Sequence, residues 1–194
     1  MLKNYKLLET NTHEKTAIAY YHPDTVDVIS LETPALEVLT DFHTTRPRII
    51  EKNVLADEAL SQMQQHKVHA LLVVDENDQV IGLINAACVQ GVYKTQVAQQ
   101  QGIRSKDVTV EMLMTKIDTL KTLQYNAVKN ALVGHIARLL HESNTDHMLV
   151  YSLNKNKVPV IRGIFSAGFI SRRLGMAIGS DLGSSSLAEM NKII

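Results

Sequence analysis

The sequence predicts a mixed α/β (α+β) fold made of two copies of one strand–turn–strand–helix unit, and three observations predict it. First, Ala70 to Val74 is an apolar run without polar alternation, the pattern of a strand buried on both faces. Asp75-Glu-Asn-Asp78 is then a cluster of turn formers, Val80 to Ile84 is a second apolar run, and Asn85 is placed to cap a short helix. Second, the same order returns as His147-Met-Leu-Val-Tyr151, a polar turn over 152–157, a strand over 158–166 and another helix. Third, Gly82-Leu-Ile-Asn85 and Gly163-Ile-Phe-Ser166 fall at matching places in the two copies. The second turn reads as longer by about three residues, which a surface turn tolerates at little cost. An internal repeat of this kind sets the architecture: one unit, used twice.

Taken in order, residues 1–34 read as an N-terminal extension packing on the repeat, with a strand near 15–21 and a turn at His22-Pro-Asp24. Thr33-Pro34 offers an N-cap followed by proline at the first helical position, and Ala35, Leu36, Leu39 and Phe42 follow at helical spacing. A short amphipathic helix is expected there. Arg48-Ile-Ile50 reads as a short strand. The next helix, over 56–66, presents Leu55, Ala59, Leu60 and Met63 on one side and Asp57, Glu58, Gln62 and Gln65 on the other. Residues 92–101 are polar and glutamine-rich, a connecting helix ended by Gly102. In the second copy Val133, Ile136, Ala137 and Leu140 form a clean helical stripe. After Leu174-Gly175 the tail is Gly/Ser-rich and reads as a loop. Ser186-Leu-Ala-Glu189 has capping-box spacing for a final short helix through Ile194.

A chain of 194 residues can form one compact domain or two small ones. Lys and Arg number 20 and so do Asp and Glu, so the chain has no general field to draw it to nucleic acid or a membrane surface. No apolar run approaches the roughly 18 residues of a membrane span, and Met1-Leu-Lys-Asn-Tyr-Lys6 lacks the apolar core of a signal peptide. The single Cys88 excludes an internal disulfide and fits a reducing compartment. The cytoplasm is therefore the expected location.

The repeated pattern, a helix, a His-x-apolar strand, a turn and then Gly-h-h-Thr/Ser (h apolar), resembles the signature of cystathionine-β-synthase (CBS) domains. Val110-Glu-Met-Leu-Met-Thr115 resembles the helix that leads into the second repeat of such pairs, and Ile161-Arg-Gly-Ile-Phe-Ser166, with Ile161 in place of Val, is similar to small stand-alone bacterial members. The resemblance implies a tandem pair of β-α-β-β-α repeats related by pseudo-two-fold symmetry. It places the first repeat at 35–91, a connecting segment at 92–109, the second repeat at 110–174 and a C-terminal tail at 175–194.

The resemblance also implies a cleft between the repeats for an adenosine-type ligand: AMP, ADP, ATP or S-adenosylmethionine. In such a cleft adenine sits among aliphatic strand residues, here Ile49 and Ile50, and phosphate sits near a helix N-terminus with a hydroxyl and a basic group. The hydroxyl position falls on Asn85 in the first repeat and Ser166 in the second. The basic position near the strand start falls on His69 and His147. The ribose carboxylate falls on Cys88 and Phe169, so both carboxylates are replaced; losing a hydrogen bond to a charged group weakens a site by about tenfold to a hundredfold. Phe169 adds bulk there, or a ring that stacks on a base.

Each of these residues has a second reading. His69 and His147 can bond to backbone at a strand edge, and Ser166 can serve only as a helix cap. Arg162, Arg172 and Arg173 bring positive charge to the second site's mouth, or else are solvated or pair with neighbouring carboxylates. The eight histidines show no zinc-type spacing and have no cysteine pairs beside them. Gly179-Ser-Asp-Leu-Gly-Ser-Ser-Ser186 resembles a phosphate loop only in composition, lacks its Gly-Lys-Ser/Thr ending and a preceding strand, and reads as a disordered connector. Cys88 as a nucleophile would gain from a pKa lowered at a helix start, whereas a buried small residue needs no such chemistry. The expectation is a non-catalytic regulatory module without cofactor or metal, which binds an adenine nucleotide in an energy-sensing role, pairs as a homodimer and signals to a protein partner. The alternative is a ligand-free interaction module with degenerate nucleotide sites.

Overall fold

The computed structural model describes residues 29–176 and Ile178. The strand and turn expected within residues 15–24, and the loop and helix expected from Gly179 onward, lie outside the described residues. The first strand, β1 (Thr40–Asp41), is followed by β2 (Ile49–Glu51), α1 (Ala56–Gln65), β3 (Ala70–Val74), β4 (Val80–Asn85) and α2 (Ala86–Gln90). The connection is α3 (Val92–Gln101), α4 (Val110–Leu113) and β5 (Thr115–Lys116). The second repeat runs through β6 (Thr122–Gln124), α5 (Tyr125–Val128), α6 (Val133–Glu142), β7 (His147–Leu153), β8 (Pro159–Ser166) and α7 (Ala167–Leu174). The tandem β-α-β-β-α architecture is present, with the single turn of α5 added in the second copy.

The strands form two four-stranded sheets, ordered β2-β3-β4-β5 and β1-β8-β7-β6. In each, a parallel pair (β2 with β3, β6 with β7) joins an antiparallel hairpin. The edge strands are exchanged: β1, from the start of the chain, pairs with β8, and β5, from the connection, pairs with β4. The segments leading into each repeat are exchanged with them. Ala35 N–H donates to Ala131 O and Val133 N–H to Thr33 O, both at 2.8 Å. In the other half Ala56 N–H donates to Val108 O (2.9 Å) and Val110 N–H to Val54 O (2.8 Å).

This exchange gives the repeated glycine its physical reason. A Cβ on Gly82 would lie 2.6 Å from Thr115 O, and one on Gly163 would lie 2.6 Å from Thr40 O. In both sheets the exchanged edge strand passes too close for any side chain.

The two hairpin turns are the same turn, which corrects the expected insertion at 152–157. The Asp75 carboxylate accepts from Asn77 N–H and Gln79 N–H (2.9 and 2.8 Å). The Asn154 side chain accepts from Asn156 N–H and Val158 N–H (2.9 and 3.0 Å) in the same way. Asp78 and Lys157 hold matching left-handed positions, at φ 56° and 60°. The extra length lies in the strands instead: β3 and β4 have 5 and 6 residues, β7 and β8 have 7 and 8. Ser152 pairs with Val160 and Leu153 with Pro159. Polar residues are compatible with a strand where its end runs into solvent.

The helix expected through Phe42 is a single 3-10 turn, Ala35–Val38, and the chain is extended from Leu39. The Thr33 hydroxyl accepts from Ser30 N–H rather than from a helix N–H. β-Branched Val38 and Thr40 favour extended backbone, and the β8 edge supplies partners, including Arg162 O for Phe42 N–H at 2.8 Å. The stripe on α6 is buried at all four positions, and Gly102 ends α3 in the left-handed conformation at φ 65°. On α1 the buried face is Ala56, Ala59 and Met63; Leu55 caps the helix, bridges to Thr109 and stays exposed. Each half has its own apolar core. A third cluster of Leu72, Leu83 and Leu149, flanked by Ile161 and Ile164, holds the two sheets face to face.

Candidate ligand-binding crevice

At the end of this seam opens a crevice of about 360 Å³. Its floor is aliphatic, from Ala70, Leu72, Leu83 and Ile164, and its rim is basic. An adjoining crevice of about 390 Å³ shares His69, His147, Ser166 and Arg172 with it and adds Asn85 and Asp146. Topology gathers these groups. β2 and β3 are parallel, so residues preceding each strand meet at one end of the sheet, and there the antiparallel β4 delivers its last residue, Asn85. In the other sheet the same geometry pairs the first residue of β7, His147, with the last of β8, Ser166.

Asn85 and Ser166 occupy equivalent places and do equivalent work. The Asn85 side chain accepts from Cys88 N–H at 2.9 Å, and the Ser166 hydroxyl accepts from Phe169 N–H at 3.4 Å. Each caps the helix that follows it, α2 or α7. Capping uses a lone pair of the Ser166 oxygen and leaves its proton available to a ligand.

The histidines are not equivalent. Strand pairing sets Ala70 opposite Asn85 and His147 opposite Ser166, so His147 matches Ala70, and His69 matches Asp146. The expected shared basic position is thus one residue out of register between the copies. His147 is 9% exposed, and its Nδ1 has no hydrogen-bond partner among the described residues. Burial pushes its pKa down to about 4 against the pull of Asp146, and His69 lowers it further, so at neutral pH the ring is uncharged.

Phe169 lines the crevice and is 36% exposed, with Arg173 over its ring at 5.9 Å. Arg172 lines both crevices, and Arg173 donates to Glu37 O at 3.0 Å. Three expected contacts lie elsewhere. Ile49 is exposed, Ile50 is packed in the first-repeat core, and Arg162 is turned to the edge strand. Arg162 holds both Asp41 oxygens at 2.8 and 2.9 Å and stacks over Tyr125 at 4.4 Å, so its charge is already matched. Burial raises the Cys88 thiol pKa, the opposite of the lowering that the nucleophile reading would need. The sequence reading missed Arg46, His66 and Lys67 as crevice residues, and used Arg48 only as part of a strand. The parallel pairing of the strands that follow Arg48 and His69 is the clue that unites them.

Among the described residues no group of three or more His, Cys, Asp or Glu side chains is placed to hold a metal ion, and no helix is long and apolar enough to cross a membrane.

Residues 28–87 match the family profile of the CBS domain. No curated protein matches the chain. Among solved structures, an uncharacterized conserved protein from Pyrococcus horikoshii is similar over 74% of this chain and 93% of its own, at 20% identity and a TM-score of 0.53. A CBS-domain-containing protein from Agrobacterium tumefaciens is similar over 80% and 98%, at 18% identity and 0.53. The CBS domain pair of protein MJ0100, solved with 5′-methylthioadenosine and S-adenosyl-L-methionine, is similar over 74% and 96%, at 22% identity and 0.50. At these identities the likeness is one of fold. Residues 28–87 are thus similar to the CBS domain, and the described residues have the fold of a CBS-domain pair.

Proposed function

We propose that this chain is a non-catalytic regulatory module that binds an adenosine-type ligand in the crevice between its repeats and passes the bound state to a partner protein. The observation that carries the reading is the crevice itself: an aliphatic floor between two sheets, beside the Ser166-capped start of α7 and a basic rim. A flat heterocycle suits the floor, and an anionic group suits the rim. The fold likeness to a CBS pair that was solved with adenosine derivatives supports the same ligand class. AMP, ADP, ATP and S-adenosylmethionine are the candidates. A ligand touching both sheets favours one relative orientation by its differential affinity, which is the means of signalling. A cytoplasmic homodimer with an energy-sensing role completes the reading. Thermal-shift titration with the four ligands tests it: a rise in melting temperature with at least one supports it, and no response at millimolar ligand removes it.

A second reading, an interaction module without ligand, is favoured by Phe169 lining the crevice where the resemblance puts a ribose carboxylate. It expects a partner captured equally well with and without ATP in pull-down experiments.

A further inference from the structure

We propose that the crevice selects its ligand by phosphate charge. It takes a molecule with two or more phosphates, of the nucleoside di- and triphosphate class, in preference to a monophosphate or to an adenosine bearing a sulfonium. The nucleoside part of this statement rests on the adenosine reading above; the charge part stands on the crevice alone.

The chain has 20 basic and 20 acidic residues, so a lining drawn at random would hold both signs. This one holds four cations, Arg46, Arg48, Lys67 and Arg172, with the imidazoles of His66, His69 and His147, and no carboxylate among the described residues. None of the four cations has an ion-pair partner among the described residues. Elsewhere five cations are matched by carboxylates: Lys52 by Glu76, Lys94 by Asp57, Arg104 by Asp107, Arg138 by Glu142 and Arg162 by Asp41. Six lysines, Lys106, Lys116, Lys121, Lys129, Lys155 and Lys157, are not so matched among the described residues. The crevice is set apart by having four unmatched cations round one cleft. Asp146 lines the adjoining crevice rather than this one. Unmatched charge gathered round one cleft attracts and retains an anion.

Two further groups point the same way. The His147 ring is buried at the crevice with Nδ1 unpartnered among the described residues, and a buried polar atom without a partner marks a place where a ligand group or water completes the bonding. Ser166 keeps a hydroxyl proton to donate at the start of α7, a helix of 8 residues whose free N–H groups favour negative charge. Phe169 lines the crevice where the resemblance puts a ribose carboxylate, and no carboxylate replaces it among the described lining residues. Recognition therefore moves from ribose to phosphate, and a sulfonium would meet four like charges.

Calorimetric titration of the full chain with AMP, ADP, ATP, S-adenosylmethionine and inorganic tripolyphosphate tests this at low and at raised salt. Affinity is expected to climb by roughly threefold to tenfold with each added phosphate, the scale of a charge-assisted contact, and the steps shrink as salt screens them. S-Adenosylmethionine is expected to bind at least tenfold more weakly than ATP, about the loss of one good contact. The pair Arg46→Gln and Arg172→Gln flattens the series; both side chains are exposed, so an unchanged melting temperature confirms folding. A flat series, or S-adenosylmethionine binding as tightly as ATP, overturns the proposal while leaving the adenosine reading intact. Tripolyphosphate binding as tightly as ATP keeps the charge proposal and removes the adenosine reading. Binding of none of the five removes both.

Discussion

The exchanged strands make a sharp prediction at Gly163. Its backbone is not in the left-handed region, so alanine there is unstrained in itself and the whole effect is steric. The new methyl would lie 2.6 Å from Thr40 O and 3.0 Å from Leu39 Cδ1. A carbon–carbonyl contact settles near 3.3 Å, so β1 must retreat by roughly 0.7 Å. The first of those atoms is backbone, in a strand held by its pairing with Gly163 and Ile164, and cannot swing aside. Overpacking of this kind costs about 1–3 kcal/mol. For a chain of this size that lowers the melting temperature by roughly 2–12 °C. Gly168, five residues on, is the internal control. Among the described residues a methyl there meets nothing closer than Arg172 Nη1 at 3.7 Å, and the residue lies in the first turn of α7. Gly168→Ala is expected to stabilise by up to about 1 kcal/mol through helix propensity. Urea unfolding of the two variants beside the parent reads both effects. Gly163→Ala at parental stability, or two variants shifting in the same direction, would refute the account of the repeated glycine.

Two further outcomes follow from the buried ring and the edge-strand ion pair. His147 is held near pKa 4 in the fold against 6.5 outside it, so the unfolded chain binds the extra proton first. Its contribution is whole above pH 6.5 and is lost as pH falls toward 4, about 3 kcal/mol in all; urea midpoints of parent and His147→Asn across that window should converge, and parallel curves would sink the assignment. Arg162→Lys keeps the charge but gives up the two-pronged grip on Asp41 and the stacking on Tyr125, for a loss of about 1 kcal/mol. A double-mutant cycle with Asp41→Asn should return a coupling of that size, and coupling near zero would show the pair to be idle.

What could be read from the chain depended on how local the cause was. The hairpins were legible because Ala70–Val74 and its counterpart are continuous apolar runs, and α6 because four apolar residues mark one face. The end of α3 was legible because Gly102 alone can take its conformation cheaply. β1 and β5 have two residues each, too few to display alternation, and their partners are remote: Asp41 and Arg162 lie 121 positions apart. The lead-in helix was misread for the same reason, since the β8 edge that draws Thr40 into a strand is invisible from Thr40. At the crevice, Ser166, Asn85, His69, His147 and Phe169 were found through the repeated motif. Arg46, Lys67 and His66 sit in loops with no motif, gathered by parallel pairing alone. Arg162 sits at the irregularity where β8 passes from Ile161, opposite Tyr151, to Gly163, opposite Val150, and Asp41 on the adjacent strand holds it away from the mouth.

The reciprocal trade of edges has a consequence for how the molecule bears load and can be divided. The stretch of sequence that repeats is not a unit that can stand alone, because each half's outermost ladder is written in the other half's share of the chain. Cutting between α3 and α4 should yield two fragments that regain their sheets only when mixed. In the intact chain each sheet is tied to the other half's share of the sequence at one strand, β1 in one sheet and β5 in the other, so a load on either sheet is borne by both.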